Sequence, residues 1–331
     1  MRIGLDGYSI RHVTATAYQK FEIVKGFGLD GIQFLDVRHL SPTLDAGEIS
    51  EVASDGRRRG FYVEVGIPGL NPYKPAPAAL EVGGGDLLTG LKTLLRAAAA
   101  VGPGPVRTFA GGPGDRVRKD VPWTEQLRAS TELARQLAPL ARDLGVRLAF
   151  ETHADATSFE LLRLIESVGE DVVGICLDTG NFPVVLEDPL AATRRLAPHV
   201  IAAHLKDSVV FFTEDGIGTQ SRPLGTGIVP VAEILRTLGT LNPDLNLSIE
   251  DHERVLPSDI FDPTILALHP DVRLDELVAL IRSARTCEQR FADGTLPQPA
   301  GLDAIPWEEQ AEDRIRIGVA NVRRIAREVG I

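Results

Sequence analysis

The chain has 331 residues, 44% of them hydrophobic and 24% charged, enough for a large core. Its formal charge of −11, without a run of lysines or arginines, argues against a nucleic-acid-tracking face. Two cysteines, Cys176 and Cys287, are too few for a disulfide framework or a thiolate cluster. With no secretory h-region after Met1-Arg2 and no apolar run long enough to span a bilayer, the expectation is a cytoplasmic protein that binds neither membrane nor nucleic acid.

Short apolar segments at 2–6, 31–35, 61–67, 105–110, 146–151, 172–178, 200–205 and 245–250 read as strands, each followed by a helix-like stretch. In the clearest of these, Trp123 to Leu144, the residues Leu133, Leu137, Leu140 and Leu144 form one stripe and Gly145 supplies a stop. Pro139 inside it predicts a kink or break. A helix at 158–168 presents Leu161, Leu164, Ile165 and Val168, and a last one at about 307–329 presents Ile315, Val319, Val322 and Val329. Eight βα units close most simply as a (β/α)₈ TIM barrel spanning 1–331 as one domain. The first strand lacks the G-x-G-x-x-G turn of a dinucleotide-binding sheet, and Gly83-Gly84-Gly85 reads as a flexible approach to a helix. Three segments are long: 66–82, rich in Pro and Gly; 207–228; and an insertion at 251–305 with an extra helix near 274–290, before the final barrel helix in 306–331. Loops that follow barrel strands rise over the catalytic face, where these can form a lid.

Strand phase then singles out four residues. Strands five to eight end in Phe150-Glu151, Leu177-Asp178, Ala203-His204 and Ile249-Glu250. Side chains alternate across a strand, so if Val146, Leu148, Phe150, Ile175, Leu177, Ile201, Leu245, Leu247 and Ile249 face the helices, Glu151, Asp178, His204 and Glu250 point into the barrel. Converging carboxylates repel unless protonated or bound to a cation. One nitrogen and three oxygens suit a single divalent ion, Mn²⁺ first, with Co²⁺, Mg²⁺ or Zn²⁺ as alternatives. Cys176 reads as barrel filling. His153 lies two residues beyond Glu151, where it can reach substrate or act as a second base; His252 is a weaker candidate of the same kind.

The stretches Phe150-Glu151-Thr152-His153, Cys176–Asn181, His204–Asp207, Arg222–Gly227 and Ser248–Glu250 resemble the xylose-isomerase-like barrel superfamily, specifically its sugar phosphate isomerase/epimerase group. The resemblance covers roughly 1–250 and the last helix. It implies that Glu151, Asp178, His204 and Glu250 hold one metal ion, with Glu151 and Glu250 also serving as acid and base on opposite faces of a sugar. The implied reaction is enolisation of a keto-sugar or related polyol. Asn181 stands where ketose 3-epimerases of this group carry histidine, and Gly225-Thr226-Gly227 replaces a frequent Gly-Glu-Gly. Asn181 can bind a hydroxyl but cannot titrate. Lys206 and Asp207 can bind sugar hydroxyls or pair with each other, and Arg222 can bind an anionic or polyhydroxyl substrate. These departures favour a second reading: a lyase that cleaves 3-oxo-glycosides by β-elimination, like C-glycoside deglycosidases with their small second subunit. An inosose-type dehydratase follows the same enolate logic. A homo-oligomer is the other assembly expected. The trinuclear DNA-repair endonucleases on this barrel need further histidines from strands three and four, which this chain lacks.

Overall fold

The computed structural model describes all 331 residues, Met1–Ile331. Eleven strands form: β1 (Arg2–Asp6), β2 (Gly31–Phe34), β3 (Tyr62–Gly66), β4 (Gly104–Thr108), β5 (Val146–Glu151), β6 (Val173–Asp178), β7 (Val200–Leu205), β8 (Asp207–Phe212), β9 (Ile217–Arg222), β10 (Asn246–Ile249) and β11 (Val255–Ser258). Eight of them close a parallel barrel in the order β1-β10-β7-β6-β5-β4-β3-β2. Each barrel strand leads to an outer helix, from Ala17–Gly26 after β1 to Trp307–Val329 after β10. The fold is the (β/α)₈ barrel expected.

Local chemistry sets the helix ends. Thr16 with Gln19, and Thr157 with Glu160, form reciprocal capping boxes, and Gly145 adopts a left-handed φ of 66° that ends the helix before β5. Pro139 does not break that helix, which runs continuously from Trp123 to Leu144. The main apolar core lies between strands and helices and includes Leu148, Phe150, Ile175, Leu177, Leu247 and Ile249.

Strand β7 departs from simple alternation. Ile175 pairs with Val200 but Cys176 pairs with Ala202, so Ile201 is the extra residue of a β-bulge. Ile201 therefore does not face the helices as alternation predicts. It packs with Ala149, Cys176 and Ala202 inside the barrel, where a Cβ on Gly174 would lie 2.7 Å from its Cδ1. The bulge restores the phase, so His204 pairs with Asp178 and faces inward.

The segment 207–228, expected as a long loop, contains an antiparallel hairpin, β8–β9. Strand β11 from the insertion adds to its edge and makes a three-stranded sheet over the barrel mouth. The insertion also carries the helix Leu274–Ala292, close to its expected position, which packs against β8. Its Glu276 meets Arg195 of the barrel, and Arg195 also pairs with Glu187 at 3.0 Å.

Candidate metal centre

The carboxyl ends of β5, β6, β7 and β10 bring Glu151, Asp178, His204 and Glu250 together. One ligand atom from each lies within 4.8 Å of all the others, and all four residues are buried. Parallel register brings neighbouring ends together: Asp178 sits beside His204, and Ser248, two residues before Glu250, lies on the other side of His204.

The hydrogen bonding fits a cation. His204 Nε2 donates to Gln33 Oε1 at 2.7 Å, which leaves Nδ1 with its lone pair turned toward the carboxylates. Nδ1 lies 2.7 Å from Glu250 Oε2 and 3.4 Å from Glu151 Oε1. Neither His204 Nδ1 nor Glu151 Oε1 has a hydrogen-bond partner, although both are buried. Acceptors facing acceptors are satisfied by a positive charge placed between them. Without one, a proton must serve: burial alone would lower His204, but Cys176, Asp6 and Glu151 hold its imidazole well above its ordinary range. The group can therefore hold a divalent ion through His204 Nδ1 and three carboxylates.

The remaining carboxylate oxygens carry cations. Arg107 on β4 pairs with Glu151 Oε2. Lys206 Nζ lies 2.5 Å from Asp178 Oδ2 and 3.0 Å from Glu250 Oε1. Burial would push Glu151 up, yet Arg107, His153 and His204 hold it well below the usual carboxylate range. Glu250 is likewise held well below that range, against burial, by Lys206 and His204. Burial dominates at Asp178, pushed up to about 7 despite Lys206. Removing either cation would strand a buried carboxylate, at a cost of roughly 3–5 kcal/mol.

Above the cluster lies a cleft of about 320 Å³ that reaches Glu250, His153, Asn181, Lys206 and His252. His153 Nδ1 donates to the Gly111 carbonyl at 2.9 Å, which fixes the ring at the edge of the cleft. Asn181 Nδ2 donates to Asp178 Oδ2 at 2.7 Å and to the Thr152 carbonyl at 3.0 Å. It braces Asp178 as well as lining the cleft. His252 is held down to about 4 by burial and Lys206, so its ring is neutral.

Two expected substrate contacts lie elsewhere. Asp207 neither pairs with Lys206 nor reaches the cleft. Its carboxylate accepts the backbone N–H groups of Ser208, Gly225, Gly227 and Val229, which uses its oxygens to close the base of the hairpin. Arg222 is buried, donates to the Pro297 carbonyl at 3.0 Å, and borders a different cavity beside Arg314. Asp6, Gln33, Glu64 and Arg107, by contrast, were not singled out from the sequence, though each is a polar residue on the inward phase of β1 to β4. Gln33 Nε2 donates to Glu64 Oε2 at 3.0 Å, and Asn246 Nδ2 to Glu64 Oε1 at 2.7 Å, so two amides linked through the buried Glu64 carboxylate steady His204.

A sequence model of the xylose isomerase-like TIM barrel matches residues 21–283. The chain belongs to that family. Among curated proteins, 3-oxo-isoapionate decarboxylase from Pectobacterium atrosepticum is 28% identical over 120 residues, 36% of this chain and 44% of the relative. The chain spans less than half the length of the curated relatives it matches. Among solved structures, D-psicose 3-epimerase from Clostridium cellulolyticum H10 with D-tagatose superposes with a TM-score of 0.59, at 18% identity over 86% of this chain and 99% of that one. The IolI protein with a bound zinc atom gives a TM-score of 0.56 at 15% identity over 85% and 99%. These structural likenesses concern the fold. No helix is long and apolar enough to cross a membrane.

Proposed function

We propose that this xylose isomerase-like barrel enolises a keto-sugar or related polyol, removing the proton next to a carbonyl. The observation that carries the reading is the pair of buried, unpartnered acceptors, Glu151 Oε1 and His204 Nδ1, facing Glu250 and Asp178. Glu151, Asp178, His204 and Glu250 would hold the ion, with Mn²⁺ preferred for this donor set. A divalent ion bound there supplies Lewis acidity that makes the C–H beside a polarised carbonyl more acidic. Glu151 and Glu250 take and return the proton, and their low pKa keeps both ionised as bases near neutrality. Arg107 and Lys206 fix their orientation through the second oxygens. His153 would serve as a second base, and Asn181 and Lys206 would bind hydroxyls; all three line the cleft, which supports these roles.

The similarity to a 3-oxo acid decarboxylase favours a second outcome of the same enolate chemistry, carbon–carbon or carbon–oxygen cleavage. In a 3-oxo-glycoside, loss of the proton at C2 would drive the bonding pair of the anomeric substituent onto the leaving group. That group departs with a proton, as in C-glycoside deglycosidases.

The test is incubation of the Mn²⁺-loaded protein in D₂O with ketoses, inososes and 3-oxo-glycosides. Deuterium uptake without loss of a substituent supports isomerisation; substituent release supports the lyase. Exchange that survives both Glu151→Gln and Glu250→Gln would overturn the proton-transfer roles.

A further inference from the structure

A second cavity, about 440 Å³, opens off the cleft. The two share Phe109, Pro113, His153 and Arg254, so the second continues the first. Its outer wall is the Pro- and Gly-rich stretch after β3, with Pro68, Pro75, Ala76 and Pro77. Phe109 stands at the junction. Its ring lies 4.4 Å from that of His153, and a Cβ on Gly69 would come within 2.5 Å of Phe109 Cε2, so the Pro68-Gly69 backbone rests directly on the ring.

The charges in this second cavity are already engaged, with one exception. Lys74 pairs with Asp115 at 3.1 Å, and Asp115 also accepts the Gly112 N–H at 2.8 Å. Arg254 is exposed at the junction, and its neighbour Glu253 is taken by Arg11. The cations deeper in the cleft, Arg107 and Lys206, are committed to the carboxylates.

We infer that this second cavity is a subsite for a ring substituent on the sugar, with an oxyanion of that ring against Arg254. A free monosaccharide over the metal centre would leave the cavity to water. A flat apolar ring gains burial against the proline walls and Phe109, and a carboxylate or phenolate on it supplies the partner Arg254 lacks. The inference rests on the enolisation reading and specifies its substrate as a glycoside or aryl conjugate.

The experiment compares methyl and 4-carboxyphenyl 3-oxo-β-glucosides as probes, following deuterium uptake at C2 by the Mn²⁺-loaded protein. The half-saturation concentration of the carboxyphenyl probe is expected about tenfold or more below that of the methyl probe. Ala76→Phe, which fills the second cavity, should erase that preference and leave the methyl probe unchanged. Arg254→Gln gives an independent readout if Ala76→Phe fails to fold: it should remove the preference for 4-carboxyphenyl over phenyl. Equal half-saturation of the methyl and carboxyphenyl probes by the unmodified protein overturns the subsite and leaves the enolisation reading standing. No exchange with either probe, while a ketose or inosose does exchange, overturns the subsite alone; no exchange with any of these substrates overturns the enolisation reading, and the subsite with it.

Discussion

The barrel interior has two layers that work differently. Two residues before their respective ligands, Ala149, Cys176 and Ala202 meet Ile201 in a small apolar knot, and Ser248 Oγ, two residues before Glu250, lies 2.8 Å from Tyr62 Oη. Above it, Glu151, Asp178, His204, Glu250, Arg107 and Lys206 crowd together, all of them buried. The lower layer is limited by volume, because its residues are small and one bulged isoleucine fills the remaining space. The upper layer is limited by charge, because each carboxylate needs a cation and two acceptors still lack one. A tightly filled floor lets the layer above hold fixed positions at a spacing set by electrostatics.

If that division is right, neutralising a ligand should disturb chemistry far more than folding. Glu151→Gln should lower proton exchange by about 10²–10⁴-fold and reduce bound metal, as read by isotope uptake and elemental analysis. Retained exchange at full metal content would break the comparison at its strongest point. One step outward, Gln33→Leu removes the acceptor that fixes the His204 tautomer. Metal affinity should fall by roughly 10–100-fold, and titration with Mn²⁺ measures it. An unchanged affinity would mean that packing alone orients the imidazole.

The floor should respond to bulk. Gly174→Val places its Cβ 2.7 Å from Ile201 Cδ1 and should destabilise the fold by about 1–3 kcal/mol, visible as a lower Tm. Metal affinity should change less than in the Gln33 variant; the reverse order would show that the layers are not separable.

The smallest effect is expected outside both layers. Burial, then the charge of Arg116, pushes His269 down to about 4. A histidine depressed on folding contributes stability in full above its unfolded pKa of about 6.5, and loses that contribution as pH falls toward 4. His269→Gln should flatten the acid side of the stability curve in that window, by on the order of 1 kcal/mol. Denaturation at pH 7 and pH 5 checks it; identical pH slopes for the two proteins would rule it out.

How much of this was legible in the sequence depends on where alternation holds. On β5, β6 and β10 each large apolar residue faces the helices and each ligand ends the other phase, so the cluster could be read directly. The same rule on β1 to β4 points to Asp6 at a strand end, Gln33 between Ile32 and Phe34, Glu64 between Val63 and Val65, and Arg107 between Val106 and Thr108. Their partners lie far away in the chain, so what each does could not be read. The bulge at Ile201 carries no composition signal. Arg222 and Asp207 share a different difficulty: residue type suggests a substrate contact, whereas direction depends on β8–β9, a hairpin whose run Val209-Val210-Phe211-Phe212 was a strand signal. The secondary structure and the four candidate ligands were thus largely local information; the covering sheet and the second cavity come from long-range pairing.

One consequence concerns how this molecule can vary. Asp207 ties both ends of the hairpin segment into a single knot of backbone hydrogen bonds, beside Lys206 and away from the turn at 213–216. The turn leans on the insertion at one side only: the Asp215 carbonyl accepts the Phe261 N–H at 3.1 Å and Gly216 backs onto Ser258, whereas Glu214 is exposed. Residues added at Glu214 would leave both the Asp207 knot and the height at which His204 meets its neighbours untouched, so that tip is the natural place for an engineer to attach a tag, or for lineages to diverge in length.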